Sequence, residues 1–196
     1  MTAGRASAER PLRADARRNR DHLLAVAREA FDEAGPDASL VEIARRAGVG
    51  QGTLYRHFPT RAALLRAVLA DRIETLCRRA AELSAGESAD HALAAWLRLF
   101  LVHARVNQGL AGAFMLEGPE TSVIDCHQTI TDTAAGLLAR AQQIGTARQD
   151  LSPDDLIQLV VGIALATARD NDDGQADRLL ALALDAVRRK PPVDGG

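Results

Sequence analysis

Aromatic residues are scarce: they make up 3% of the 196 residues, as one tryptophan, one tyrosine and four phenylalanines. β-Branched runs are scarce too, while Ala, Leu and Arg dominate, which favours helices throughout. The core must therefore be built from Leu, Ala and Val with few aromatic anchors. The two cysteines, Cys77 and Cys126, lie far apart and outside any CxxC spacing. Neither a disulfide framework nor a zinc site is expected, and thiols in a reducing cytosol are. No apolar run reaches transmembrane length and the first residues lack an apolar signal-like stretch, so the expectation is a soluble, cytoplasmic protein without a membrane partner. Lysine is nearly missing, with Lys190 standing alone. A GC-rich genome would produce that bias, so it carries no functional weight.

What is present is uneven. The formal net charge is −2, yet residues 1–70 carry 12 arginines against 8 acids, a net of +4, and residues 71–196 carry a net of −6. A basic head on an acidic body suits a chain that offers one end to a polyanion. The length allows one large or two small domains at ~100–200 residues each.

The organising stretch is Ala47-Gly48-Val49-Gly50-Gln51-Gly52-Thr53-Leu54-Tyr55-Arg56-His57-Phe58. One short helix ends at Gly48, the chain turns through Val49 and Gly50, and a second short helix starts near Gln51: a helix-turn-helix. Leu54 and Phe58 are four apart and share an inward face. Gln51, Thr53, Tyr55, Arg56 and His57 are left on the other faces. None is a carboxylate, and all can donate hydrogen bonds to phosphates or base edges. Gly50 and Gly52 keep the helix start slim, so that backbone amides can approach a phosphate. Gln51 suits adenine and Arg56 suits guanine in a major groove. His57 has no partner nucleophile, which argues against catalysis.

Around this stretch the pattern is helical. Residues 1–18 read as a flexible basic arm. A helix is expected over 19–34, stopped by Gly35 and Pro36, with Leu24, Ala27 and Phe31 inward. Ser39 and Glu42 form a capping box that opens the next helix, with Ser39 among the DNA-side residues. Ile43 and Ala44 of that helix face inward, and Arg45 and Arg46 face outward, either along a phosphate backbone or as a solvated face. Thr60 caps a long helix over 61–83 with Arg61 at its head.

Here the sequence resembles a known family. Ile43-Ala44-Arg45-Arg46-Ala47-Gly48-Val49, then Gly52-Thr53-Leu54-Tyr55-Arg56-His57-Phe58, then Ala62-Ala63-Leu64-Leu65 is similar to the DNA-binding region of the TetR (tetracycline repressor) family of transcriptional regulators. The resemblance covers residues 20–69, and the C-terminal half looks like the SbtR-like branch. It implies that Gln51 and Arg56 face bases and that Thr53, Tyr55, His57 and Arg61 face phosphates. Gly50 departs from the pattern, which often has Ser there, and so leaves only backbone for contact.

Further helices are expected over 88–107, 110–116, 123–144, 156–168 and 175–189, about nine in all. The fold class is all-α: a three-helix DNA-binding head over 19–66, a helical effector-binding and dimerisation bundle over 67–190, and a tail over 191–196. The resemblance places a ligand pocket in the middle region, where Trp96, Phe100, His103, Phe114, Met115 and Ile130 are the candidates. Ordinary core packing competes with that role for each of them. Two apolar helices at the C-terminus suggest a four-helix bundle with a two-fold mate; its candidates are Leu156, Val160, Ile163, Leu179, Leu182 and Ala183.

The leading expectation is a non-enzymatic homodimer that binds a palindromic double-stranded operator and responds to an unknown small-molecule effector, more often as a repressor. No metal and no cofactor are expected. A constitutive DNA-binding protein without effector, or a helical small-molecule-binding protein or enzyme, are the alternatives. The enzyme lacks a nucleophile–base pair, a phosphate loop before a strand, and any metal-ligand spacing.

Overall fold

The computed structural model describes residues 5–117, 121–168 and 173–188. Among them are eight α-helices, one 3-10 turn and no strand beyond an isolated bridge between Ala147 and Arg188. The order is α1 (Arg5–Ala34), the 3-10 turn (Gly35–Asp37), α2 (Leu40–Arg46), α3 (Gln51–His57), α4 (Arg61–Gly86), α5 (Ala89–Glu117), α6 (Thr121–Ile144), α7 (Pro153–Ala166) and α8 (Asp173–Val187). Two compact units result: Met1–Leu69 with Gly109–Gly118, and Ala70–Gln108 with Pro119–Gly196.

The first unit closes around one apolar cluster. α1 contributes Leu23, Leu24, Ala27 and Phe31, α2 contributes Ile43 and Ala44, and α4 contributes Leu64, Leu65 and Val68. Leu54 of α3 and Phe58 just after it reach the same cluster, at 1% and 2% exposure. The Arg20 guanidinium lies over the Phe58 ring at 5.3 Å, covering the cluster's edge with a cation on an aromatic face. Between α2 and α3 the chain reverses at Gly48, whose φ is +66°. The Gly48 and Val49 amides then donate to the carbonyls of Arg45 and Ala44 at 3.1 and 3.0 Å. This is a left-handed helix stop that satisfies the last carbonyls of α2.

Two expectations about elements give way. The arm expected over residues 1–18 is helical from Arg5 onward. Its Ala, Arg and Glu content has high helix propensity, and extending an existing helix needs no new nucleus. The separate helices expected over 88–107 and 110–116 are one helix, α5. Gly109 and Gly112 each weaken a helix by about 1 kcal/mol relative to alanine, but they leave the hydrogen-bond ladder intact.

In the second unit α4 and α6 run parallel. Thr133 donates its hydroxyl to the Cys77 sulfur at 3.1 Å, and seven residues further along both helices Arg140 donates to the Ser84 carbonyl. The equal seven-residue advance keeps one seam in register over two turns. α6 stops at Gly145, with φ +84°. Gln142 then holds the connection by donating to the carbonyls of Arg148 and Leu151 at 2.9 and 3.1 Å. α7 opens with a full capping box: the Ser152 hydroxyl accepts from the Asp155 amide, and the Asp155 carboxylate accepts from the Ser152 amide.

The inner side of α7 corrects the expected dimer face. Leu156 and Val160 are each 1% exposed, and Ile163 is buried as well. The unit's own helices already cover them, so they leave no area for a partner. On the outer side Leu159 and Leu165 are exposed, Leu165 by 62%, and on α8 Leu182 is exposed by 68%. Leu179 and Ala183 are half-buried. A helix apolar on all sides splits its apolar residues between an inner and an outer face, and sequence periodicity had not separated them.

Gly48 yields a test of the turn. A Cβ there would meet no atom within 4 Å, so only the backbone conformation resists it. Gly48→Ala is expected to cost about 1–2 kcal/mol, the cost of an L-residue in the left-handed region. Urea unfolding of both chains measures it, and equal midpoints would show that the turn relaxes freely.

Candidate nucleic-acid interface

The burial of Leu54 and Phe58 fixes the rotation of α3 about its axis. At about 100° per residue, the position two before Leu54 and those one or two after it then turn away from the core, while Gln51 lies open as the first residue of the helix. Gln51, Gly52, Tyr55 and Arg56 are accordingly exposed, Tyr55 by 46%. Thr53 and His57 are half-buried on the flanks. No acidic side chain lies on α3, and its last turn carries Arg56 and His57. The outward surface is therefore a set of hydrogen-bond donors without a carboxylate.

The start of α3 has no side-chain cap: Gly50 is extended, with φ −69° and ψ 151°, and bonds only through its carbonyl, which accepts from Thr53 and Leu54. A Cβ at Gly50 or at Gly52 would meet nothing within 4 Å. Neither backbone angle nor internal packing demands glycine at these two positions. The room they leave lies outside the chain, where another molecule's backbone can come close.

The other expected DNA contacts have internal partners. Ser39 caps α2 by accepting from the Glu42 amide at 3.4 Å. The reciprocal half of that expected box does not form, because the Glu42 carboxylate turns to arginines. Arg45 donates to both its oxygens at 2.7 Å, and Arg46 Nε donates to one at 3.1 Å. Arg46 also reaches Glu33 of α1 at 2.7 Å. These donors, Arg45 first and then Arg46, pull the Glu42 pKa down to about 2. Two arginines thus face two carboxylates, and the pair expected to lie along phosphates is charge-balanced within the chain. Arg61 donates to the carbonyls of Pro36 and Ala38.

The comparisons agree with this geometry. Residues 23–68 match the family described as bacterial regulatory proteins, tetR family. Residues 88–189 match the SbtR-like transcriptional regulator C-terminal domain. The chain belongs to the TetR family of transcriptional regulators. The HTH-type transcriptional regulator UidR of Escherichia coli is 30% identical over 151 residues, covering 73% of this chain and 74% of that one. An uncharacterized HTH-type transcriptional regulator, TtgW of Pseudomonas putida, is 45% identical over 60 residues, 30% of this chain and 45% of that one. A TetR transcriptional regulator of Streptomyces coelicolor superposes with a TM-score of 0.76 at 39% identity, covering 88% of this chain and 99% of that one. A TetR regulatory protein of Mycobacterium vanbaalenii gives 0.73 at 36% identity, over 91% and 100%. Like these relatives, this TetR-family chain is a DNA-binding regulator rather than an enzyme.

The SbtR-like part of this TetR-family chain holds the expected ligand candidates. Trp96, Phe100 and His103 form a continuous stack on α5: the first two rings lie 5.6 Å apart at 11°, the next two 6.3 Å apart at 24°. Trp96 is fully buried and donates its indole N–H to the Leu76 carbonyl at 3.1 Å. Phe100 and Ile130 are buried as well. The side chains of Phe114 and Met115 lie outside the described residues. Two residues that sequence reasoning passed over complete the cluster. Asn107, buried, accepts from Arg72 through its Oδ1. Its amide nitrogen therefore points at His103, 3.1 Å from Nδ1 and 2.7 Å from the His103 carbonyl. That assigns Nδ1 as acceptor and puts the ring proton on Nε2. Asn107 stands four residues after His103 and was within reach of helical spacing; Arg72 comes from another helix and gave no such signal.

Burial, aided by the positive charge of Arg72, lowers the His103 pKa from 6.5 to about 4. An unfolded chain takes up that proton near pH 6.5 and the folded chain only near pH 4. Between these values the unfolded state binds more protons, so stability falls as the pH falls through this window. Urea midpoints are expected to drop from pH 6.5 to 4 in the wild type and to drop less in His103→Gln. Parallel curves for the two chains would remove His103 as the cause.

Proposed function

We propose that the chain is a homodimeric, ligand-responsive transcriptional regulator, acting as a repressor in the cytoplasm. Each copy lays α3 in the major groove of one half-site of a roughly palindromic operator. The observation that carries this reading is the outward face of α3: Gln51, Tyr55 and Arg56 exposed, glycines at the helix start, and no acid among them. Arg56 reads guanine, Gln51 reads adenine, and Tyr55, Thr53 and His57 hold phosphates. Two-fold symmetry then asks for half-sites about one helical turn apart, ~34–36 Å, or a multiple of it.

The dimer is supported by the open apolar side of α7 and α8. Leu159, Leu165 and Leu182 are exposed, with Gly162 between the α7 pair. Hydrophobic outer faces on two adjacent helices suit a four-helix bundle with a second copy. The effector is supported by the stacked Trp96, Phe100 and His103 and by the polar group of Arg72 and Asn107 beside them. α4, which carries Arg72, is one continuous helix whose start supports the DNA-binding residues. A ligand that binds two settings of α4 with different affinity shifts operator affinity by that difference.

Footprinting on the chain's own upstream DNA is expected to protect two half-sites, and uniform binding to all sequences would sink operator recognition. In selection from a randomised duplex pool, Arg56→Ala should relax preference at one base pair by about 1–3 kcal/mol. Tyr55→Phe should weaken binding to all sequences alike, because phosphate contacts carry no sequence information. A sequence-dependent loss with Tyr55→Phe would reverse those two roles. For the dimer, Leu182→Asp and Leu165→Asp should each shift gel filtration toward a monomer and lower operator affinity. Unchanged elution of both variants would take the α7–α8 face out of the interface.

A further inference from the structure

Arg61 stands where the family resemblance implies a phosphate contact, yet one nitrogen of its guanidinium is bonded within the fold. One terminal nitrogen, Nη1, donates to the Pro36 carbonyl at 2.8 Å and to the Ala38 carbonyl at 2.7 Å. Both hydrogens of that nitrogen are thereby used within the fold, and the side chain is half-buried. The two carbonyls flank Asp37 and lie just before Ser39, the N-cap of α2. Beside the packing of Ala38 in the apolar cluster, the other polar bonds of this connection are weak ones. Gly35 is left-handed at φ +69°, the Ala38 amide reaches the Gly35 carbonyl at 3.2 Å, and the Ser39 hydroxyl receives the Glu42 amide only at 3.4 Å. On the other side the anchor is firm. Thr60 caps α4 by accepting from the Ala63 amide at 3.0 Å, and Leu64 and Leu65 are buried one turn on.

We propose that Arg61 is a positioning residue that ties the first turn of α4 to the start of α2, and so sets how the helix-turn-helix is held, rather than neutralising a phosphate. α2 reaches α3 through only the four residues Ala47 to Gly50. A displacement of the α4 start therefore passes to α2, and on to α3, through two charge-assisted hydrogen bonds as well as through packing. The inference rests on the reading that α3 enters a DNA groove, and it assigns to that reading the contact through which a change in α4 is transmitted.

The test uses full-length wild type and Arg61→Met, which keeps the side-chain length and removes the donors. The probe is a duplex enriched by the wild-type chain from a randomised pool, with affinity measured over a salt series and amide hydrogen exchange followed in parallel. The expected result is exchange about tenfold faster at residues 38–42, unchanged exchange in α7 and α8, and affinity about tenfold weaker. The slope of log affinity against log salt should stay the same. A slope reduced by about 0.9 with unchanged exchange at 38–42 would make Arg61 a phosphate contact and overturn the proposal. If the wild type enriches no duplex, the reading of α3 fails by itself. The exchange comparison then still decides the tie, and unchanged protection at 38–42 overturns it.

Discussion

The burial of Leu54 and Phe58 is the constraint on which the outward surface of α3 depends. α3 has seven residues, far too few to be stable as an isolated helix in water. It holds its place because two side chains, each worth about 1.5–3 kcal/mol on full burial, enter a cluster supplied by α1, α2 and α4. Their insertion sets both the depth and the rotation of the helix. Once Leu54 points inward, helical geometry turns Gly52, Tyr55 and Arg56 outward, and Gln51 is left open at the first position of the helix.

Electrostatics then sorts the positive groups around that helix. Arg45 and Arg46 are balanced by Glu42 and Glu33, and Arg61 is bonded to two backbone carbonyls. The arginine that sequence and structure both leave facing outward on α3 is Arg56. On the proposed reading, a base contact from Arg56 would carry sequence information, whereas a broad basic face would give only salt-sensitive, sequence-independent affinity. The net positive charge of residues 1–70 therefore overstates how much of it is directed at a polyanion.

In the second unit the same contrast appears between periodicity and contact. The apolar stripes of α5, α6, α7 and α8 were legible because apolar residues recur at helical spacing. Capping was legible too: Ser152-Pro153-Asp154-Asp155 opens α7 as the local chemistry dictates. The partners that fill the space between stripes were not legible. Arg72 meets Asn107 across 35 residues of sequence, and the Leu76 carbonyl takes the Trp96 indole from another helix. No local pattern announces such pairs, because each depends on how two helices are set side by side.

By itself, the sequence determined the helical class, the turn at Gly48, the seven-residue helix after it and its inward pair, since these follow from interactions within a few residues of one another. Tertiary structure alone decided which side of α7 is covered, so that Leu156 and Val160 are interior while Leu165 is open. It alone decided that Glu42 serves two arginines instead of its own cap, and that Arg61 binds the carbonyls of Pro36 and Ala38. The physical reason is the same in each case. A polar or apolar side chain takes the best partner within reach, and what lies within reach is set by segments distant in the chain.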